Sequence, residues 1–440
     1  MMKKYINPEK SLWPQLTERV TTDDAVIEER VKAILECVRT DGDKALKELS
    51  AEIDKVDLSA GIEVTGEEIA AARAEVPEDL KQAVAQAYRN IYAFHAAQRF
   101  EPVEVETVPG VRCIQKAVPV QKVGLYIPGG SAPLFSTVLM LAVPAKVAGC
   151  AQVVLCTPCG KDGKGAPAVL YAASECGVDR IFKIGGAQAV AAMAYGTETV
   201  PAVDKIFGPG NRYVTKAKEI VSRKVAIDMP AGPSEVLVMA DSSAVPAFVA
   251  SDLLSQAEHG PDSQVILVCD SEDLADRVQV EVEDQLEKLP RKDVAVRALE
   301  NSRAIVLPSL EDQIEFVNMY AAEHLIISLA QPWDVAEKIT AAGSVFIGNY
   351  TPESAGDYAS GTNHTLPTSG WARSCSGVNL DSFVRKITYQ EITEDGIRAL
   401  GNTIVTMAEA EGLDAHANAA IIRMQGCAVA ADNGSSPRRK

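Results

Sequence analysis

At 440 residues the chain is too long for one ordinary hydrophobic core, so two or more domains are expected. Apolar residues at 47% and charged residues at 23% describe a globular protein, and a net charge of −17 leaves no basic face for nucleic acid or an anionic membrane. Met1-Met2-Lys3-Lys4-Tyr5 leads into polar residues, Val138 to Val154 is broken by Pro144, Lys146 and Gly149, and nine cysteines are scattered through apolar segments. No secretory signal, no membrane span and a reducing cytoplasm are therefore expected.

Up to about Ser136 the chain reads mainly helical, with apolar residues at three- and four-residue spacing in Asp24–Leu49, Gly66–Val76 and Pro77–Arg99. Val103–Val120 alternates and reads as strands. Near Gly124 the pattern changes to short apolar strands separated by Ala-rich helices: Val123–Ile127, Gln152–Cys156, Arg180–Ile184 and Lys205–Phe207. Glu235–Met239, Gln264–Cys269, Ala304–Leu307, His324–Ser328 and Ser344–Ile347 repeat that rhythm. This is the βαβ pattern of open parallel sheets, and it predicts an α/β protein of two such blocks. Gly348–Asn379 reads as irregular, Thr393 onward as helical, and Asn433–Lys440 as a polar, disordered end.

Three turns of the first block carry paired glycines directly after a strand: Gly129-Gly130, Gly185-Gly186 and Gly208-Pro209-Gly210. Singly, each is a helix-start turn that any α/β fold needs. Together they form a cradle in which backbone N–H groups could approach a phosphate at the carboxyl edge of a sheet. The G-x-G-x-x-G fingerprint is absent, so both readings stand on the turns alone.

Of five histidines, His95 lies in a helical run and reads as a packing position. The other four have polar company: Gln256-Ala-Glu-His259, with Gln256 and His259 three apart on one helix face; Glu323-His324 at a strand start; Asp357 before His364 in the irregular stretch; and Glu411 before His416 near the end. Imidazole with carboxylate and amide oxygen suits a borderline metal such as zinc, and imidazole beside carboxylate suits general base work. Cys156-Thr-Pro-Cys159 runs into a glycine loop instead of a helix, so the pair reads as coincidental.

Seven strings in order resemble the histidinol dehydrogenase family: Gly124–Gly130, Gly185–Gln188, Phe207–Asn211, Met229–Glu235, Leu254–Gly260, Glu323–Leu325 and Ser354–His364. The resemblance implies two incomplete Rossmann-like domains, residues 21–122 with 234–378 and residues 123–233, flanked by an N-terminal arm (1–20) and a helical dimerisation tail (379–440). It implies NAD-dependent oxidation of L-histidinol to L-histidine in a homodimer with shared active sites and one zinc per subunit. By that resemblance zinc is held by Gln256, His259, Asp357 and His416, the last from the partner chain. Tyr126, Gln188 and Asn211 match NAD contacts, and Ser234, His364 and Glu411 match substrate contacts, which the metal ligands and His324 share. Glu323 and His324 match the catalytic pair. The family usually has proline before that pair, and here Ala322 stands there. The alternatives are a zinc-dependent dehydrogenase of another small alcohol, such as a sulfonated diol, and, from a different class, a zinc hydrolase with Glu323 as base. Three glycine turns argue against the hydrolase, and His364, Glu411 and His416 favour histidinol.

Overall fold

The computed structural model describes residues 2–19, 25–129, 134–229 and 232–433, with side chains described to 426. In chain order its strands are β1 (Lys3–Ile6), β2 (Val103–Val108), β3 (Val111–Pro119), β4 (Lys122–Tyr126), β5 (Gln152–Cys156), β6 (Arg180–Phe182), β7 (Lys205–Phe207), β8 (Ala226–Ile227), β9 (Glu235–Ala240), β10 (Gln264–Cys269), β11 (Arg303–Val306), β12 (His324–Ser328), β13 (Ser344–Ile347) and β14 (Val384–Ile392). The chain forms two compact units, residues 1–98 with 120–383 and residues 99–119 with 384–440.

The first unit holds two wholly parallel sheets, in the orders β6-β5-β4-β7-β8 and β1-β11-β10-β9-β12-β13. Parallel strands covered on both faces must be apolar on both, which is why Val236-Leu-Val-Met-Ala240 and Gln264–Cys269 are fully buried. Alternate residues enter opposite cores: Val236 and Val238 on one face, Leu237 and Met239 on the other. The five-stranded sheet divides likewise, with Val153 and Leu155 on one face and Val154 and Cys156 on the other.

Here the packing departs from the expected boundaries. The helix Ala25–Leu49 bends at Gly42 (φ 53) and packs on the helices Gly186–Tyr195 and Arg212–Val221, while Gly66–Glu75 and Glu78–Ala96 pack on Pro167–Glu175 and Phe135–Ala148. Residues 25–96 thus cover the five-stranded sheet, because their apolar stripes join its cores, not those of the six-stranded sheet. The arm is part of the six-stranded sheet: β1 pairs parallel with β11, Lys3 opposite Arg303.

The second unit pairs β3 antiparallel with both β2 and β14, and two helices, Glu394–Ala410 and Asp414–Asn433, pack on each other. A side chain at Gly401 would run into Met424, so glycine permits that approach. The expected tail (379–440) therefore includes a nine-residue strand, and its first residues, to Phe383, belong to the first unit. The end beyond Asn433 lies outside the described residues, as do Asp24, Gly130-Ser131 and Pro230-Ala231. Among the described residues no helix is long and apolar enough to cross a membrane, and eight cysteines are free.

Candidate active site

Glu235 and His324 open two neighbouring parallel strands, β9 and β12, with His324 opposite Val236. The site they begin lies at the amino edge of the sheet, the edge opposite to the usual ligand side of open α/β sheets. The helix Pro246–Ala257 leaves β9 and returns antiparallel to it, which brings Gln256 and, just past its end, His259 back to that edge. The short helix Glu353–Tyr358 packs on it and carries Glu353 and Asp357 four residues apart, on one face. Before Glu323 the chain turns at Ala321 (φ 55), a left-handed alanine that ends the helix Leu310–Tyr320. Ala322, where the resemblance expects proline, is buried, and its carbonyl accepts from Gly343 N–H at 2.9 Å. Ser344 N–H donates to the Glu323 carbonyl at 2.9 Å, and a Cβ at Gly343 would lie 2.5 Å from that oxygen. Main-chain bonds to Gly343-Ser344 hold the segment in the absence of the proline ring.

His324 is 3% exposed. Its Nδ1 lies 3.1 Å from the Glu235 carbonyl oxygen, which can only accept, so in the neutral ring Nδ1 carries the hydrogen and the lone pair is left on Nε2. Nε2 has no hydrogen-bond partner and lies 3.6 Å from Asp357 Oδ1. Burial opposes charge on this ring, but the Glu353, Glu323 and Asp357 carboxylates outweigh it and raise its pKa well above the ordinary value. Glu323 Oε2 accepts from Glu235 N–H at 2.8 Å and lies 3.6 Å from His324 Nδ1. Burial pushes the Glu353 carboxyl well up, whereas Asp357, although burial also acts on it, is held below its usual range by His324.

Gln256 is fully buried, and its surroundings are satisfied when its amide is oriented with the nitrogen towards Glu353 Oε1 at 2.6 Å and the Glu235 carbonyl at 3.3 Å. That turns the amide oxygen away from Glu353. Ligand atoms of His259, Glu353 and Asp357 lie within 4.8 Å of one another, and Glu353 Oε2 is buried without a partner. The His259 imidazole, the Asp357 carboxylate and the Gln256 amide oxygen fit a divalent cation of borderline character, with Glu353 beside them to orient the amide. Glu353 escaped the sequence reading; its signal was the i, i+4 spacing to Asp357 inside a stretch read as irregular.

The glycine turns lie at the carboxyl edge of the five-stranded sheet. The buried Tyr126 ends β4, and its hydroxyl accepts from Gly186 N–H at 3.1 Å; burial pushes its pKa up to about 12. Gln188, in the first turn of the next helix, donates to Asp54 Oδ2 at 3.0 Å. Asn211 caps its helix by accepting from Tyr213 and Val214 N–H at 3.0 and 3.2 Å. Some of these glycines serve packing: a Cβ at Gly129 would strike the Pro158 ring, one at Gly185 would come within 2.7 Å of it, and one at Gly208 (φ 126) would strike the Tyr126 carbonyl. The helix-start reading of the turns therefore has direct support, alongside the clustering of Tyr126, Gly186 and Gln188.

His364 joins the two regions. Its Nδ1 lies 3.0 Å from the Asp357 carbonyl and its Nε2 3.2 Å from Thr137 Oγ1, on the helix that follows the first glycine turn. Burial lowers its pKa. Ser234, just before β9, is half-buried, and its carbonyl accepts from Gln264 N–H at 3.1 Å. Glu411 and His416 belong to the second unit, where both are exposed. His95 is a packing histidine: fully buried, with Nδ1 2.8 Å from the Ile91 carbonyl. Burial raises the pKa of both Cys156 and Cys159, which makes neither a reactive thiolate.

An imidazole among carboxylates, linked through His364 to the helix after a glycine turn of a second parallel sheet, is compatible with an α/β oxidoreductase. The histidinol dehydrogenase family model matches residues 17–424, and the chain belongs to that family. It is 57% identical to a histidinol dehydrogenase of Bacteroides thetaiotaomicron over 96% of this chain and 99% of that one. Identity is also 57% to that of Escherichia coli over 90% of each. The crystal structure of histidinol dehydrogenase from Elizabethkingia anophelis superposes with a TM-score of 0.94 at 52% identity, covering 97% of this chain and 98% of that one.

Proposed function

We propose that this chain is an NAD-dependent enzyme that oxidises L-histidinol to L-histidine through the aldehyde, the last step of histidine biosynthesis, in the cytoplasm. Family membership supports the reaction. The single structural observation that carries it is the free Nε2 of buried His324 beside Glu323.

The neutral form of His324 takes the carbinol proton at Nε2, the other ring nitrogen being fixed on the Glu235 carbonyl. Glu323, anchored through Oε2, draws a proton from the water that hydrates the aldehyde. His324 then serves again on the hydrate. NAD, when bound, accepts a hydride in each oxidation, and Tyr126, Gln188 and Asn211 are its proposed contacts. Gln256, His259 and Asp357 would hold zinc, with His416 of the partner subunit, and Glu353 would keep the Gln256 amide turned. Zinc, when bound, would supply a Lewis acid for the amino and imidazole nitrogens of histidinol. Ser234 and Glu411 would orient the substrate, and His364 would meet it by exchanging its Thr137 bond. Burial of the pair keeps bulk water from the aldehyde.

The test is the rise of NADH absorbance on adding L-histidinol and NAD. Two NADH per histidinol are expected, abolished by a chelator and restored by zinc. Turnover of a sulfonated diol without histidinol would overturn the substrate. The homodimer with shared sites is tested by mixing His324→Ala and His416→Ala chains. Recovery of activity in hybrids is expected, and no recovery despite proven chain exchange rejects it.

A further inference from the structure

Glu235 touches the catalytic pair only with its main chain. Its N–H donates to Glu323 Oε2 at 2.8 Å, and its carbonyl accepts from His324 Nδ1 at 3.1 Å. Its side chain is tied elsewhere. Oε1 accepts from Arg19 Nε at 3.0 Å and from Ser369 N–H at 2.7 Å, and Oε2 accepts from Arg19 Nη2 at 2.9 Å. Ser369 has a left-handed backbone (φ 54) that aims its N–H at the carboxylate. Arg19 also lies over the Tyr320 ring, 3.7 Å from its centroid, and donates to the Tyr320 carbonyl at 2.6 Å. Tyr320 ends the helix from which two alanines lead to Glu323.

One guanidinium therefore grips both segments that set the Glu323–His324 geometry: the start of β9 through Glu235 and the end of the preceding helix through Tyr320. Glu235 is 1% exposed, at the head of an otherwise apolar strand. A buried ion pair is a poor device for stability, since apolar residues of like volume serve as well, but its planar fork fixes direction. We infer that Arg19, from the N-terminal arm, and Glu235 are positioning residues for the oxidation, acting through Glu323 and His324. The inference rests on the roles proposed above for that pair.

Arg19→Lys keeps the charge and loses the fork, and Glu235→Gln keeps the shape and loses the charge. Each is compared with wild type for kcat and KM on the aldehyde half-reaction, with thermal midpoint and near-ultraviolet circular dichroism recording the fold. A displacement of the pair by even a fraction of an ångström predicts a loss of about tenfold in kcat. KM for substrate and NAD should stay within about twofold, because no ligand contact is lost. On a Glu323→Gln background the same Arg19→Lys change should lower the residual rate by clearly less than in the wild-type background, since the part of its effect that runs through Glu323 is gone and only the part through His324 remains. If Arg19→Lys does not fold, Glu235→Gln carries the same comparison. Folded variants with wild-type kcat, or losses fully additive with Glu323→Gln, overturn the inference. Wild-type turnover of histidinol tests the activity itself; the ratio of variant to wild type tests positioning for whichever alcohol the wild type oxidises.

Discussion

Thr137 Oγ1 lies 3.2 Å from Nε2 of His364, and through this pair the helix after the first glycine turn reaches the carboxylate cluster of the other sheet. Thr137→Val keeps the volume and removes the hydroxyl. It should lower stability by about 1 kcal/mol and, because substrate no longer has to displace this bond from His364, lower KM for the alcohol, with secondary structure unchanged. Steady-state kinetics and thermal melts decide; an unaltered KM would show that substrate does not displace this bond.

Glu353 has one oxygen on the Gln256 amide and the other without a partner. Glu353→Gln should weaken zinc binding by about 10- to 100-fold, the usual effect of losing a group that orients a ligand. Competition with a chromogenic chelator measures this directly, and an unchanged affinity would mean that Gln256 needs no such support.

His324 and Glu323 should separate by step. His324→Ala should lower both oxidations by about 10²- to 10⁴-fold, as expected for loss of a general base. Glu323→Gln should spare the first and lower the second. Rapid-quench detection of aldehyde and acid distinguishes them, and equal effects on both steps would reject the division of labour.

Asp252, one turn before Gln256, accepts from Glu353 N–H, and burial pushes its carboxyl up to about 7. The folded chain thus retains a proton that the unfolded chain releases near pH ~4. Between these values the folded state binds more protons, so this group's contribution falls as pH rises and levels off above the folded pKa. The slope is at most about 1.4 kcal/mol per pH unit. Denaturant melts of chelator-treated protein across this window should show Asp252→Asn with a flatter profile; parallel profiles would disprove the shift.

Gly208 has φ 126, and a Cβ there would strike the Tyr126 carbonyl. Gly208→Ala should cost roughly 2–3 kcal/mol or more through strain and displaced backbone. Chemical denaturation would detect this. A neutral effect would show that the turn can open.

Much of the architecture was legible because buried parallel strands announce themselves: Val236–Ala240 and Val265–Cys269 are continuous apolar runs flanked by helical spacing. β1 and β14 were not. Lys3-Lys-Tyr-Ile6 becomes a strand only because the open edge of β11 accepts it, and Val384–Ile392, mostly exposed, lacks a clean alternation. His324, Gln256, His259 and Asp357 stood out by residue type. Glu353 was hidden in a polar stretch that folds into one helical turn against a neighbouring helix. The Arg19–Glu235 pair joins residues 216 positions apart, and no local pattern reports such a contact.

The parallel pairing of Lys3 with Arg303 bears on biosynthesis. Lys3–Ile6 form the outermost strand of a sheet whose receiving edge lies some 300 residues later in the chain, so they wait unpaired until that edge is made. Such long loop closure makes docking of the arm a late event, and Arg19 arrives with it. A nascent or N-terminally trimmed chain would thus build both sheet interiors before it could align the Glu323–His324 pair, so competence follows completion of the fold instead of accompanying it.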